Sequence, residues 1–524
     1  MFTTAGRTFS TTLTTGSSCG AVAQAGTTKR PKQKTRAILM PQKIIHVSER
    51  TSPSNFASSL PFPGFIPMAV SYRHWIHNNI LREEPGPILS ESILQRIWFE
   101  SLVRNPLSTL HGERITLNHP GFWNHRAGPD FLRVSFSTAD GSLHGGDVEI
   151  HRHSSDWHAH RHSDNPLYQK VSLHIFWQLD PTSPPAPPSI RQIALADQLA
   201  APLTELIFLF QSSTPEMAAG ERPGRCRQTL LSLPPVKLRG ILEEAGWHRL
   251  RQRRSLAQAR VSAHGFDQAA WIALAEGLGF SENREPFASL ARAVPIHHLL
   301  ELSDPPSREA ILYGVAGFLP DPTRTPCSPR ARGLVQKLWD KWWEFREQWR
   351  NRVLPPSGWR IASTRPNNSP LRRLAALSFM TQPEVWNPWL ETVRIGNAAA
   401  FFDQLKAASH PFWNQHSAWD GRILSAPSRL VGLDRATALL FQVLAPLAEI
   451  SEKDLLQRMV SWPIGGNAGM LRSACLRLLG VPFPPPDIRS HLAREGLLQI
   501  YKDFCRAEAD ACRDCSMPDF LKHR

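Results

Sequence analysis

In the stretch SESILQRIWFESL the apolar residues Ile93, Leu94, Ile97, Trp98 and Leu102 recur with the period of one helix face. Ser90 is placed to cap the start, and Glu91 and Glu100 are the acids along it. The period then changes. ERITLNH alternates as a strand, PGFWNHRAGPD is turn-rich, and FLRVSFS alternates again with Leu132, Val134 and Phe136 on one side before ADG closes a hairpin. In the next strand, GDVEIH, successive side chains point oppositely, which puts Val148 and Ile150 on one face and Asp147, Glu149 and His151 on the other. A short helix is expected to start near Asp164 and Pro166. KVSLHIFWQL is dense enough in β-branched and aromatic residues to be a central strand.

Beyond this point the pattern is almost wholly helical. The Pro-rich run PTSPPAPPS, residues 181–189, interrupts the sheet sequence, and SSTPEMAAGERPGR has the composition of a linker. The expected fold class is α+β: a mixed-sheet α/β domain over 68–212, a linker over 213–225, a large helical domain over 226–500 and a Cys-rich metal-binding tail over 501–524. Residues 1–67 are rich in Ser, Thr and Pro and lack either period. They are expected to be a disordered tail or a start placed too early, with folded material beginning at Met68.

At 524 residues and 41% hydrophobic content the chain has material for packed cores. Its longest nearly apolar run, ATALLFQVLAPLAEI, is too short to cross a bilayer, so no membrane partner is expected. The net charge of +15 is uneven: Arg7, Lys29, Arg30, Lys32, Lys34, Arg36 and Lys43 all precede the first acid, Glu49, which leaves 53 basic against 45 acidic residues in the remainder. That balance fits a polyanionic partner, nucleic acid included, and equally fits simple solubility.

Candidate chemistry concentrates between residues 128 and 162. Hydrolysing a phosphodiester requires a cation to neutralise developing charge and to acidify the attacking water, and hard Mg²⁺ or Mn²⁺ prefers carboxylate oxygen. Asp130 and Glu149 are the candidate ligands, with Asp147 adding an oxygen from the rim. His151 would orient or deprotonate the water, and Glu91 or Glu100 would complete the shell from the helix. The plainer alternative has Asp130 capping a turn and Asp147 and Glu149 on a solvated face. Ten of the 21 histidines lie between His111 and His174; on a strand, His158, His160 and His162 would bring three imidazoles together for Zn²⁺, whereas on a loop the alternation means nothing.

Downstream, Arg249, Arg251, Arg253 and Arg254 could track phosphates or form a solvated helix face. Trp339, Trp342, Trp343 and Trp349 fall at helical spacing, where they could stack bases, although buried packing is the commoner use of such a stripe. At the C-terminus Cys505, Cys512 and Cys515 form a C-x₆-C-x₂-C arrangement suited to Zn²⁺ or an iron–sulfur cluster. Cys475 leads the choices for a fourth ligand, ahead of His523, Cys226 and Cys327. A closed structural centre pinning the tail is expected rather than disulfides.

The order helix, strand, hairpin, strand, helix, strand resembles the core of the PD-(D/E)XK nuclease superfamily. Pro129 and Asp130 match the first motif element and Glu149 its second acid, while His151 stands where that family has Lys. The resemblance implies metal-dependent nucleic-acid cleavage or processing. The departure at His151 keeps open a non-catalytic nucleic-acid or protein-binding scaffold. The longer run NHRAGPDF, GDVEIHRHSSDWHAHRHSDNPLY and VSLHIFW, followed by ENREPFASLAR, EAILYGVAGFL and RPNNSPLRRLAAL, resembles an uncharacterised bacterial family, domain of unknown function 2851. That likeness implies the fold organisation and a bacterial source and carries no established activity; a cytoplasmic location is expected. The three-Cys spacing resembles the first part of the iron–sulfur loop of endonuclease-III-type glycosylases, whose fourth position falls here on Leu521.

Overall fold

Period-2 alternation from Arg114 onward builds a seven-stranded mixed sheet. In this computed structural model its strands are β1 (Leu107–Ser108), β2 (Arg114–His119), β3 (Phe122–Trp123), β4 (Phe131–Thr138), β5 (Leu143–His153), β6 (Val171–Gln178) and β7 (Arg191–Ala194). They lie in the order β1-β2-β4-β5-β6-β7, with β3 paired to β4 off that path. The β2/β4 and β4/β5 pairs are antiparallel, whereas β5/β6 and β6/β7 are parallel. The structure describes Tyr72 and residues 89–210, 223–280, 282–324, 327–361, 366–463, 469–488, 490–505, 512 and 515–522. The expectations for residues 1–67 and for most of the linker fall outside these residues.

Helix α1 (Glu91–Phe99) forms where the apolar stripe foretold it and lies against β5. Ile93, Leu94, Ile97 and Trp98 enter one core with Val148, Ile150, Leu173 and Ile175. Each such side chain taken fully out of water contributes roughly 2 kcal/mol. The alternation in β4 is broken: Arg133 adopts a left-handed φ of 60°, and the register with β5 shifts between Phe131 and Val134. This bulge adds a residue, so Phe131, Val134 and Phe136 are buried where the unbroken pattern had Leu132, Val134 and Phe136.

Among the described residues the remainder is mostly helical, as the sequence led one to expect, and these residues belong to one unit, Leu60–Arg524. Ala259 and Ala288 of the helical body share the core of the sheet. The longest helix, Pro235–His264, crosses His491–Phe504 closely: a Cβ on Gly246 would come within 1.9 Å of the Leu492 carbonyl oxygen, and one on Gly496 within 1.8 Å of that of Leu242. No described helix is long and apolar enough to cross a membrane.

Candidate metal centre

Both faces of β5 are buried from Asp147 to His151. One face meets α1. The other, carrying Glu149 and His151, is covered by the chain between β5 and β6, which folds as a short helix α2 (Asp156–Ala159) and two 3₁₀ turns, His162–Asp164 and Pro166–Tyr168. The sequence pattern pointed to a short helix beginning near Asp164 and Pro166; a 3₁₀ turn does begin at Pro166, and an α-helical turn, Asp156–Ala159, comes before it. Trp157 and Tyr168 pack with Val171, Ala186 and Ile190 as a small core of this cover. The polar face is therefore largely shielded without being apolar.

The turn at Arg161 shapes what the cover delivers. Arg161 adopts a left-handed φ of 57°, reversing the chain between His160 and His162 so that both imidazoles reach His151. His160 Nδ1 lies 3.2 Å from His151 Nε2, and His162 Nε2 lies 3.2 Å from the same nitrogen. Glu149 Oε1 stands 3.4 Å from His151 Nε2 and 3.3 Å from His162 Nε2. Four ligands bound tetrahedrally at 2.0–2.1 Å stand about 3.3–3.4 Å apart, a spacing that His151 Nε2 shows with each of the other three donors and that Glu149 shows with His162, while the three imidazole nitrogens lie within 4.8 Å of one another. Among the described residues these three histidines are the group of His, Cys, Asp or Glu whose donor atoms converge on one point.

The surrounding contacts fix the donors. His151 Nδ1 pairs with His174 Nε2 at 3.0 Å, which leaves Nε2 as the outward donor. The ring of His162 is held between Trp157 and Tyr168, with centroids at 5.3 and 3.9 Å. Burial, then the imidazole of His160, pushes His162 down to about 4; burial, opposed by a hydrogen bond with Gln192, pushes His174 down to about 3; and burial followed by His174 pushes His151 down to about 2. All three are neutral at physiological pH, the form that binds metal. Burial raises Glu149 above the usual carboxylate range, and the charge of Asp130 raises it further. Among the described residues no Lys or Arg forms an ion pair with Glu149 or Asp130. A cation at the histidines would supply that charge.

Asp130 adjoins this group without entering it. Its backbone N–H donates to Glu149 Oε2 at 3.1 Å, while its own carboxylate accepts from Gln95 Nε2 at 2.7 Å and from the Ile150 N–H at 2.9 Å. Burial raises Asp130 as well, and Glu91 on the first turn of α1 acts electrostatically on both acids. The structure thus gathers Asp130, Glu149, His151 and Glu91.

It sends the other candidates elsewhere. Asp147 Oδ1 accepts from the Arg133 N–H at 3.0 Å and braces the β4 bulge. Glu100 is fully buried between Arg96, Arg260 and Arg292. His158 is not one of the histidine triad: its Nε2 faces the Pro185 carbonyl, and His151 takes the place that strand alternation had given it. The basic cluster is committed internally, with Arg249 on Glu495, Arg251 on Glu452, Arg253 on the Phe441 carbonyl and Arg254 on the Ala445 carbonyl. Trp349 is buried, Trp342 packs against the core and Trp339 is half-buried, while Trp343 is exposed.

No curated protein and no solved structure matches the chain. The sequence profile described as "Protein of unknown function (DUF2851)" matches residues 91–461, from the first residue of α1 through the histidine-bearing cover and most of the helical body, stopping short of Cys475, Cys505, Cys512 and Cys515. That span exceeds half of the chain, and the protein accordingly belongs to the DUF2851 family.

Proposed function

We propose that the sheet unit is a metal-dependent hydrolase acting on phosphodiesters of nucleic acid, with Glu149, His151, His160 and His162 as ligands of one divalent ion. The observation that carries this reading is the sharing of one carboxylate: Glu149 Oε1 is spaced as a ligand with two imidazoles, while Oε2 accepts from the backbone of Asp130. Three imidazoles favour Zn²⁺ or Mn²⁺ over the Mg²⁺ that a carboxylate-only shell would take. Such an ion polarises phosphate and acidifies water. Asp130, whose carboxyl burial pushes towards neutral pH, is the candidate proton acceptor, and Gln95 and the Ile150 N–H hold its aim. Exposed His160 opens the centre to solvent, and Arg126, Arg152, Arg161 and Lys170, all exposed, adjoin these residues in sequence and suit a polyanion.

A non-catalytic reading has one observation in its favour: four protein donors can close a tetrahedron, as structural zinc sites do. Metal analysis and cleavage of labelled single- and double-stranded DNA and RNA separate the two. Glu149→Gln is expected to lose both the ion and cleavage, whereas Asp130→Asn keeps the ion and loses cleavage at least a hundredfold. His151→Lys is expected to lose the ion, since a buried ammonium cannot donate a lone pair. A wild-type chain that binds metal but cleaves no polymer with Mn²⁺, Zn²⁺ or Mg²⁺ would defeat the catalytic reading.

A further inference from the structure

We propose that Cys226, Cys505, Cys512 and Cys515 form a second, closed metal centre of four thiolates, and that Cys226, not Cys475, is its fourth ligand. Helix His491–Phe504 ends at Cys505, and helix Met517–Lys522 begins just after Cys515. Cys226 precedes the short helix Arg227–Leu231 at the opposite end of the helical sequence, and that helix contacts Met517–Lys522. Cys226 and Cys505 are buried in one core with Leu230, Met517 and Phe520, and Cys515 packs against it.

The four thiols lie within electrostatic reach of one another, Cys512 and Cys515 of Cys226, and Cys226, Cys512 and Cys515 of Cys505, although among the described residues no three sulfurs stand within 4.8 Å of one another, so the shell would close only as metal binds. Cys475 is equally buried, but its charged neighbour is Arg494 and no thiol. All are free thiols.

Cations are in place to balance the charge such a centre carries. Arg477, itself buried, donates from Nη2 to Cys512 Sγ at 2.9 Å, and its carbonyl accepts from the Gly224 N–H at 2.7 Å. Arg225 donates to the Cys512 carbonyl at 3.1 Å. Four thiolates around Zn²⁺, or around an iron–sulfur cluster, leave a net negative group that guanidinium hydrogen bonds stabilise. Leu521 is buried and apolar, so the fourth ligand comes from across the fold. A soft, thiophilic metal bound there clips the chain's last described segment to the start of its helical body.

The full chain, purified without air, is assayed for zinc, iron and acid-labile sulfide, and its metal edge is examined by X-ray absorption. Either zinc with four sulfur neighbours at about 2.3 Å, or iron with matching sulfide, supports the centre and says which ion fills it. Cys226→Ser is expected to lose this metal at least tenfold, and Cys475→Ser to keep it. Should Cys226→Ser fail to fold, the sulfur shell of the native chain still decides. Absence of any sulfur-bound metal, a shell with fewer than four sulfurs, or full retention in a folded Cys226→Ser chain would overturn the proposal.

Discussion

Glu100 offers the sharpest test of how the sheet is joined to the helices. The residue follows α1 and is fully buried. Arg260 donates to its carboxylate through Nε and Nη2, both at 3.0 Å, Arg96 stands 3.1 Å from Oε1, and Arg292 contacts Oε2. Glu276, 2.8 Å from Arg260, is the second acid of the network. Glu100→Gln keeps the shape and removes the charge, leaving Arg96, Arg260 and Arg292 with Glu276, which pairs with Arg260, as the remaining acid of the network. Uncovering buried charge in this way costs about 3–5 kcal/mol, a large share of the roughly 5–15 kcal/mol that holds a typical fold together. Burial alone would raise the carboxyl, but the three arginines outweigh it and hold it well below the usual range. The stabilisation is therefore complete above the unfolded-state value near pH 4 and is lost only as pH falls through the lower folded one, so the comparison belongs at pH 7. Urea unfolding followed by tryptophan fluorescence measures the loss, and bound metal is counted on the same samples. Combining Glu100→Gln with Arg292→Met should cost less than the two single losses added together, because they share one network. The reasoning is refuted if Glu100→Gln unfolds at the wild-type midpoint, and more pointedly if it keeps its stability but loses metal, for then Glu100 completes the metal shell after all.

Two further outcomes follow from buried contacts. His119 is buried, accepts the Gly121 N–H at Nδ1, and is pushed down to about 3, first by burial and then by Arg352, Arg292 and Arg133. The unfolded chain therefore takes up its proton first, and this residue should remove about 1.4 kcal/mol of stability per pH unit below 6.5, until roughly pH 3; His119→Asn should flatten the acid limb of the unfolding curve, and unchanged slopes would argue against it. Gly246→Ala or Gly496→Ala should force the Pro235–His264 and His491–Phe504 helices apart and cost on the order of 2–4 kcal/mol in thermal or urea unfolding, whereas Gly240→Ala, with open space around its Cβ, should be neutral or slightly stabilising.

The elements that the pattern revealed are those whose period survives folding. Helix α1 and strands β2, β5 and β6 each bury the side chains that their spacing set aside, because one face of each meets the same core. Strand β4 departs from its pattern at Arg133, since a bulge adds a residue without changing composition, and no local signal distinguishes that from plain alternation. The basic run from Arg249 to Arg254 looked available for phosphate because its acids and carbonyls, among them Glu495, Glu452 and Ala445, come from segments about two hundred residues away.

The same distinction explains the histidine cluster. Strand alternation put Glu149 and His151 on one face correctly, and it also grouped His158, His160 and His162, which would hold only if that segment were extended. Arg161 in a left-handed conformation is what brings His160 and His162 together with His151, a conformation open to few side chains and unmarked here by Gly or Asn. Parallel pairing then sets His174 opposite Glu149, in reach of His151 Nδ1. That position 151 carries His, where the PD-(D/E)XK resemblance would place Lys, has a physical sense in these surroundings. A lysine buried at 1% exposure beside three imidazoles would have Glu149 as its counter-charge, and its ammonium would repel any cation brought to those nitrogens. A neutral imidazole reverses the arrangement: in the proposed centre the protein would contribute lone pairs, the positive charge would arrive with the ion, and that ion would favour the ionised form of Glu149, which burial raises above the usual carboxylate range.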